Sequence, residues 1–220
     1  MNKKEIIQEV KRQINPEDIK FLFWYGTRPG RDIDLLIVLK RKIKVCLCES
    51  SKSRLDVLIV DNREFIRRLK LLDPAVTDPL ITGFVLLGDK KEAGLLRSDT
   101  ILFLSGSKEV PKETIQFLKE RACKRLQTAS TFLQKKGNSA LYSFLIELSW
   151  ACCYGAFVKY YSDSPKFLPI TFDHLLAIDK HIVFKQVMSA LEAVKSGGNI
   201  NRSHMIDLFQ KTKELLGVVN

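Results

Sequence analysis

Two acids one residue apart, Asp32 and Asp34, open an apolar run that continues through Leu39. A short run of this kind, bounded by polar punctuation, reads as a buried strand. Positions i and i+2 of a strand point to one face, so the two carboxylates would stand side by side at its head. Like charges held together are unfavourable unless something positive sits between them. A pair of oxygen ligands suits a hard divalent cation, Mg²⁺ first among them. A second apolar run, Phe21-Leu-Phe-Trp-Tyr25, closes on Gly26-Thr27, and a third acid, Asp56, lies in Arg54-Leu-Asp-Val-Leu-Ile-Val60.

Around these runs the chain predicts an α+β head. Ile6, Ile7, Val10 and Ile14 recur at helical spacing over residues 3–13, and Pro16 interrupts them. Strands are expected at Phe21–Tyr25, Asp32–Leu39, Ile43–Leu47 and Leu55–Val60. Pro29-Gly30 marks a turn, and Lys40-Arg41-Lys42 reads as a solvated hairpin tip. Asp61 or Asn62 would cap a helix carrying Phe65, Ile66, Leu69 and Leu72. Asp73-Pro74 would end that helix. A short helix from Pro79 to Gly83 and a last strand, Phe84–Leu87, complete the head.

After about residue 90 strand signals fade and amphipathic helices take over. Ile115, Leu118, Ala122, Leu126, Ala129 and Leu133 form a stripe over 111–136. Lys119, Arg121, Lys124, Arg125, Lys135 and Lys136 fall mainly on its other faces. Residues 139–161 are apolar on most sides, as expected for the central helix of a bundle. Two more helices follow near 180–195 and 203–216, separated by Ser196-Gly-Gly198. The expected organisation is therefore a head, 1–92, and an all-α bundle, 93–220.

With 36 Lys and Arg against 25 Asp and Glu, the net charge of +11 suits polyanionic partners such as nucleotides, and equally serves solubility alone. The five cysteines, Cys46, Cys48, Cys123, Cys152 and Cys153, show no metal-type spacing and read as reduced thiols. The N-terminus lacks the apolar segment of a signal peptide. The least polar stretch, Leu148–Val158, is too short to span a bilayer. A cytoplasmic protein without membrane contact is expected.

The order of an apolar strand closing on Gly26-Thr27, then Asp32-Ile-Asp34, then Asp56, then helices, resembles the nucleotidyltransferase superfamily related to DNA polymerase beta. The likeness is to its small two-domain members, such as aminoglycoside nucleotidyltransferases and minimal nucleotidyltransferases paired with HEPN helical domains. It covers roughly residues 20–90, with the tail alike in architecture only. It implies a small mixed sheet with flanking helices, followed by an all-α bundle. It also implies two Mg²⁺ ions, with a nucleoside triphosphate as substrate, and transfer of a nucleoside monophosphate to a hydroxyl acceptor on a small molecule, a protein or an RNA. Asp32 and Asp34 would bridge both metals, and Asp56 would hold the one at the acceptor and take its proton. Gly26 and Thr27 would offer amides to the phosphates, and Arg28 and Arg31 would neutralise them. Superfamily members often dimerise through the helical part. Thr27 stands where the family has Ser or Gly. The link from Gly26 to Asp32 has room for a turn, not for the family's short helix.

Other readings compete. The same fold would serve as a non-catalytic nucleotide-binding or antitoxin-like module, and the basic helix at 111–136 would suit RNA. Asp61 rivals Asp56 but reads better as a helix cap. Glu147 is either a site acid or a satisfied hydrogen-bond partner, with the second favoured. Tyr154, Tyr160 and Tyr161 around Lys159 read as bundle core ahead of a stacking cluster. His174, His181 and His204 show no metal spacing, and no Arg precedes a His at the distance of an RNA-cleaving HEPN motif.

Overall fold

The computed structural model describes residues 2–25, 33–43, 55–106, 110–163 and 182–217. Described residues up to 106 form one compact unit and those from 110 onward another. The fold class is α+β, as the strand and helix signals predict.

In the first unit, α1 (Lys3–Gln13) starts on a reciprocal cap. Asn2 Oδ1 accepts from the Lys4 and Glu5 amides, and the Asn2 amide donates to Glu5 Oε2 at 2.8 Å. A 3₁₀ turn at Pro16–Asp18 leads into β1 (Ile19–Tyr25). Strand β2 (Ile33–Leu39) runs antiparallel to β1, and β3 (Leu55–Asp61) runs parallel to β2. Helices α2 (Asn62–Lys70) and α3 (Pro74–Thr82) follow, then β4 (Phe84–Gly88), antiparallel to β1, and α4 (Lys90–Gly106). The strand order is β3-β2-β1-β4.

Both faces of this mixed sheet are covered, which is why β2 is apolar at every position from Leu35 onward. On one face Leu22, Leu35, Ile37 and Leu39 pack against Ile6, Val10 and Ile14 around α1. On the other, Phe21, Phe23, Leu36, Val38 and Val60 pack against Phe65 of α2, Val76 and Leu80 of α3 and Ala93 of α4. Helix α4 belongs to this unit by its contacts with α3 and β4, although a boundary at 92/93 would place it with the tail.

Three local expectations need revision. Asp73-Pro74 opens a helix as well as following one. Asp73 caps α3 through the Ala75 amide, and Pro74, at the first helical position, needs no donor there. The helix expected from Pro79 thus begins five residues earlier, with Pro79 inside it. Residues Lys40 and Arg41 bend away from β2, and Arg41 meets Asp18 at 3.2 Å. The hairpin expected here would join β2 to a strand at Ile43–Leu47. Of the strand expected at Ile43–Leu47, Ile43 is not in a strand and the rest lies outside the described residues.

The second unit holds α5 (Lys112–Leu133), α6 (Asn138–Asp163), α7 (Ile182–Lys195) and α8 (Arg202–Leu215). The α5 stripe Leu118, Ala122, Leu126 and Ala129 packs against Leu141, Phe144, Leu145 and Leu148 of α6. Phe184, Val187 and Leu191 of α7 and Met205 and Leu208 of α8 close the core. Helix α6 is the central element. Its span Asn138–Ser162 is, by length and composition alone, long and apolar enough to cross a membrane, but 61% of its most apolar window is buried by the other helices. The apolar segment is therefore longer than Leu148–Val158 suggests, and the bundle accounts for it.

One glycine is indispensable to the sheet. Gly88 closes β4 with φ +104°, and a Cβ there would lie 2.2 Å from the Lys20 carbonyl oxygen. Neither the dihedral nor the backbone clash can be relieved by a side-chain rotation. Gly88→Ala should destabilise the protein by roughly 1–3 kcal/mol, read as a lowered urea midpoint. An unchanged midpoint would mean that β4 does not close in this way.

Candidate functional site

The register of three strands builds the site. Tyr25 of β1 is paired with Asp34 of β2, and Asp34 is paired with Asp56 of β3. Behind this row, on the same face, lie Phe23–Leu36–Leu58 and Phe21–Val38–Val60. The two inner rows belong to the core under α2, α3 and α4, with Tyr25 packed against its edge. The apolar rows end and the carboxylates begin where β1 finishes and β2 and β3 start. Asp34 is half-buried and Asp56 is exposed.

Neighbouring strands lie about 4.8 Å apart, so paired residues on adjacent strands present their side chains as close neighbours. Like charges directly opposed in this way destabilise a sheet. Two oxygen-donor groups so placed, at the margin of an apolar face, have the donor chemistry of a hard divalent cation site. Among the described residues no group of three or more His, Cys, Asp or Glu side chains is set to hold a metal. The structure brings together two of the three acids singled out in the sequence. The other named site residues, Asp32, Gly26, Thr27, Arg28 and Arg31, lie outside the described residues.

The pairing also adds a residue that the motif alone did not single out. Tyr25 stands beside Asp34 in the same row. Its one sequence signal is position: it is the last residue of the strand that leads to Gly26-Thr27.

The rival acid is accounted for. Asp61 caps α2, its Oδ1 accepting from the Glu64 amide at 2.8 Å. Glu147 in the second unit is likewise occupied. Arg125 Nη1 donates to both its oxygens, at 2.8 and 2.9 Å. The Arg125 guanidinium also lies 5.9 Å from the Trp150 ring centre, and that of Arg121 lies over Phe117 and Tyr154. Two of the seven cations on the 111–136 segment thus turn toward the bundle, while Lys119 and Lys124 stay exposed.

The tyrosine cluster is core. Tyr154 and Tyr161 are buried, and Tyr160 packs edge-on against Tyr161. Burial, then Tyr160 and Cys153, push the Tyr161 phenol well above its ordinary pKa, so it stays neutral. Cys152 and Cys153 are buried in α6, with Cys152 Sγ 3.3 Å from Thr212 Oγ1 of α8. His204 is exposed in the first turn of α8, where its amide donates to the Asn201 cap. Cys46, Cys48, His174 and His181 lie outside the described residues.

No family model matches the chain, and no curated protein does. Among solved structures, a nucleotidyltransferase-like protein from Exiguobacterium sibiricum 255-15 aligns with a TM-score of 0.39 and 13% identity, over 98% of this chain and 73% of that one. At that distance any assignment rests on the residues themselves.

The Arg125–Glu147 pair is only partly buried, so its loss should be modest. Glu147→Ala is expected to cost about 1 kcal/mol of stability and to leave triphosphate binding unchanged. A calorimetric titration in which this variant lost binding would move Glu147 from the bundle into the site.

Proposed function

We propose that the chain is a Mg²⁺-dependent nucleotidyltransferase that moves a nucleoside monophosphate from a nucleoside triphosphate to a hydroxyl acceptor. The observation that carries this reading is the pairing of Asp34 with Asp56 on adjacent parallel strands, at the end of the sheet where the apolar rows stop. It joins two acids 22 positions apart in sequence, and the third, Asp32, precedes Asp34 by two positions.

The donor chemistry suits a hard divalent cation, since Asp34 and Asp56 occupy paired positions on adjacent strands. Asp32, Asp34 and Asp56 would hold two Mg²⁺ ions, which when bound supply charge stabilisation to the attacking and leaving oxygens. The remaining work belongs to the chain. In nucleotidyl transfer a bond forms from the acceptor oxygen to the α-phosphorus as the bond to pyrophosphate breaks. The hydroxyl proton must go to a base, and Asp56, exposed at the head of β3, has the access for it. The amides of Gly26 and Thr27 and the side chains of Arg28 and Arg31 would meet the triphosphate. Positioning and fixed charge account for most of such a reaction, since no covalent intermediate with the protein is needed. Tyr25, beside Asp34, would border the same site.

The test is calorimetric titration of the four nucleoside triphosphates, with and without Mg²⁺, into the parent, Asp34→Asn and Asp56→Asn. Each substitution keeps shape and removes charge at a strand head, so both variants should fold. The parent should bind at least one triphosphate only when Mg²⁺ is present, and each variant should lose affinity tenfold or more. Variants that bind as the parent does would remove Asp34 and Asp56 from the site. Parent binding with no pyrophosphate release over a panel of acceptors would favour the non-catalytic nucleotide-binding alternative.

A further inference from the structure

Strand β1 ends beside the acids on a large aromatic residue. Tyr25 is paired with Asp34, and Asp34 with Asp56, so the three side chains share one row and one face. Tyr25 packs at the edge of the core that includes Phe23, Leu36, Val76 and Leu80. A tyrosine has two side-chain torsions, so packing along one flank of the ring fixes the other flank as well. The backbone beneath is held too. Tyr25 and Asp34 belong to the inner strands of the order β3-β2-β1-β4. Gly83, just before β4, approaches β1 so closely that a Cβ on it would lie 3.2 Å from the Trp24 carbonyl oxygen. Tyr25 and Asp34 are half-buried, whereas Asp56 is exposed. The row is thus more enclosed at its β1 end than at its β3 end.

Size is what a rigid flank can select. From its Cβ a tyrosine side chain extends farther than an aspartate carboxyl, so Tyr25 borders the Asp34 oxygens as a wall and not as a ligand. Mg²⁺ takes oxygen ligands at about 2.0–2.1 Å in near-ideal octahedral geometry, whereas Ca²⁺ takes about 6–8 of them at about 2.3–2.6 Å in looser arrangements. Choice between the two depends on the room and the flexibility of the site. A wall held by the core takes away the space for the longer bonds and added ligands of Ca²⁺. Mn²⁺ shares the octahedral oxygen preference of Mg²⁺ and serves as its spectroscopic stand-in.

We propose that Tyr25 is a specificity-determining residue of the row: its ring sizes the cation site at Asp34 and Asp56 and so favours Mg²⁺ and Mn²⁺ over Ca²⁺. This role depends on the reading of that row as a cation site. The selection belongs to the ring and not to the hydroxyl, because packing against the core is what gives the wall its place.

Binding of Mn²⁺ alone to the full chain, followed by the paramagnetic resonance of the free ion and with Ca²⁺ as competitor, tests the role. The parent should bind Mn²⁺ at least about tenfold more tightly than Ca²⁺, and Asp34→Asn should lose most of the Mn²⁺ affinity. Tyr25→Ala and Tyr25→Leu should bring the two cations to within about threefold of each other. Tyr25→Leu still fills the core edge, so it decides the matter if Tyr25→Ala does not fold. Tyr25→Phe should keep the parent's preference. So should Ile66→Ala, which trims the same core away from the row and should lower the melting temperature. A ratio of two affinities is not moved by a loss of stability alone. An unchanged preference in the Tyr25→Ala and Tyr25→Leu variants, with Asp34→Asn defective, would overturn the role of Tyr25 and leave the cation site standing. A parent without the preference, or its loss in Tyr25→Phe or Ile66→Ala, would overturn that role too. A parent that binds no Mn²⁺, or binds it no better than Asp34→Asn does, would overturn the cation site itself and the role of Tyr25 with it.

Discussion

The parallel register of β2 on β3 is the constraint on which the rest of the first unit depends. Strand side chains alternate with period two, so a slip of one residue in either strand would carry an acid to the opposite face. Slippage is resisted by the rows behind the acids. Leu36 lies against Leu58 and Val38 against Val60, and both rows are continued by Phe23 and Phe21 of β1. Shifting them would expose side chains whose burial stabilises by roughly 1.5–3 kcal/mol each. The acids therefore stand together because the apolar residues next to them fit in one way.

Those rows need their cover held in place, and a buried ion pair does part of this. Arg68 Nε donates to Asp73 Oδ2 at 2.6 Å, with the two side chains 4% and 0% exposed. Two charges taken out of water gain little net stability from each other, yet removal of one partner costs roughly 3–5 kcal/mol. The pair thus acts as a fixed corner more than as a source of stability. Asp73 also caps α3, and the turn before it passes through Leu72 at positive φ. Helix α3 then sets Val76 and Leu80 against Phe21 and Phe23, and Arg97 joins its last carbonyls to α4. Polar groups fix the angles, and apolar area supplies the stabilisation.

The apolar runs made β1, β2, β3 and β4 legible because each is short, dense and bounded by polar or turn residues. The bundle helices were legible for a different reason: their stripes recur at three and four. Helix α4 was not, since Leu95, Leu96, Ile101, Leu102, Phe103 and Leu104 surround it and leave little period to detect. A helix apolar on both sides has two surfaces to satisfy, and the sequence alone does not say which is inside. Asp73-Pro74 reads as a stop, and that reading hid its second role as the cap and first residue of α3. Glu147 could be a site acid or a partner until Arg125, 22 positions away, was placed beside it. Asp34 and Asp56 belonged to one motif by resemblance, but their alignment depends on strand pairing, which no local pattern encodes. Tyr25 became visible only with that pairing.

Two carboxylates in one row across a parallel pair call for a positive group or a ligand within reach. The chain places these acids at the end of its most apolar face. There a cation held between them is attracted by both carboxylates at once. The proposed nucleotide site follows from this chemistry: carboxylates paired in this way are what would bind a metal with its triphosphate. The surrounding charge points the same way. A net charge of +11 favours anionic partners over cationic ones. A pair of carboxylates is then the local exception that distinguishes a metal–triphosphate complex from a bare anion.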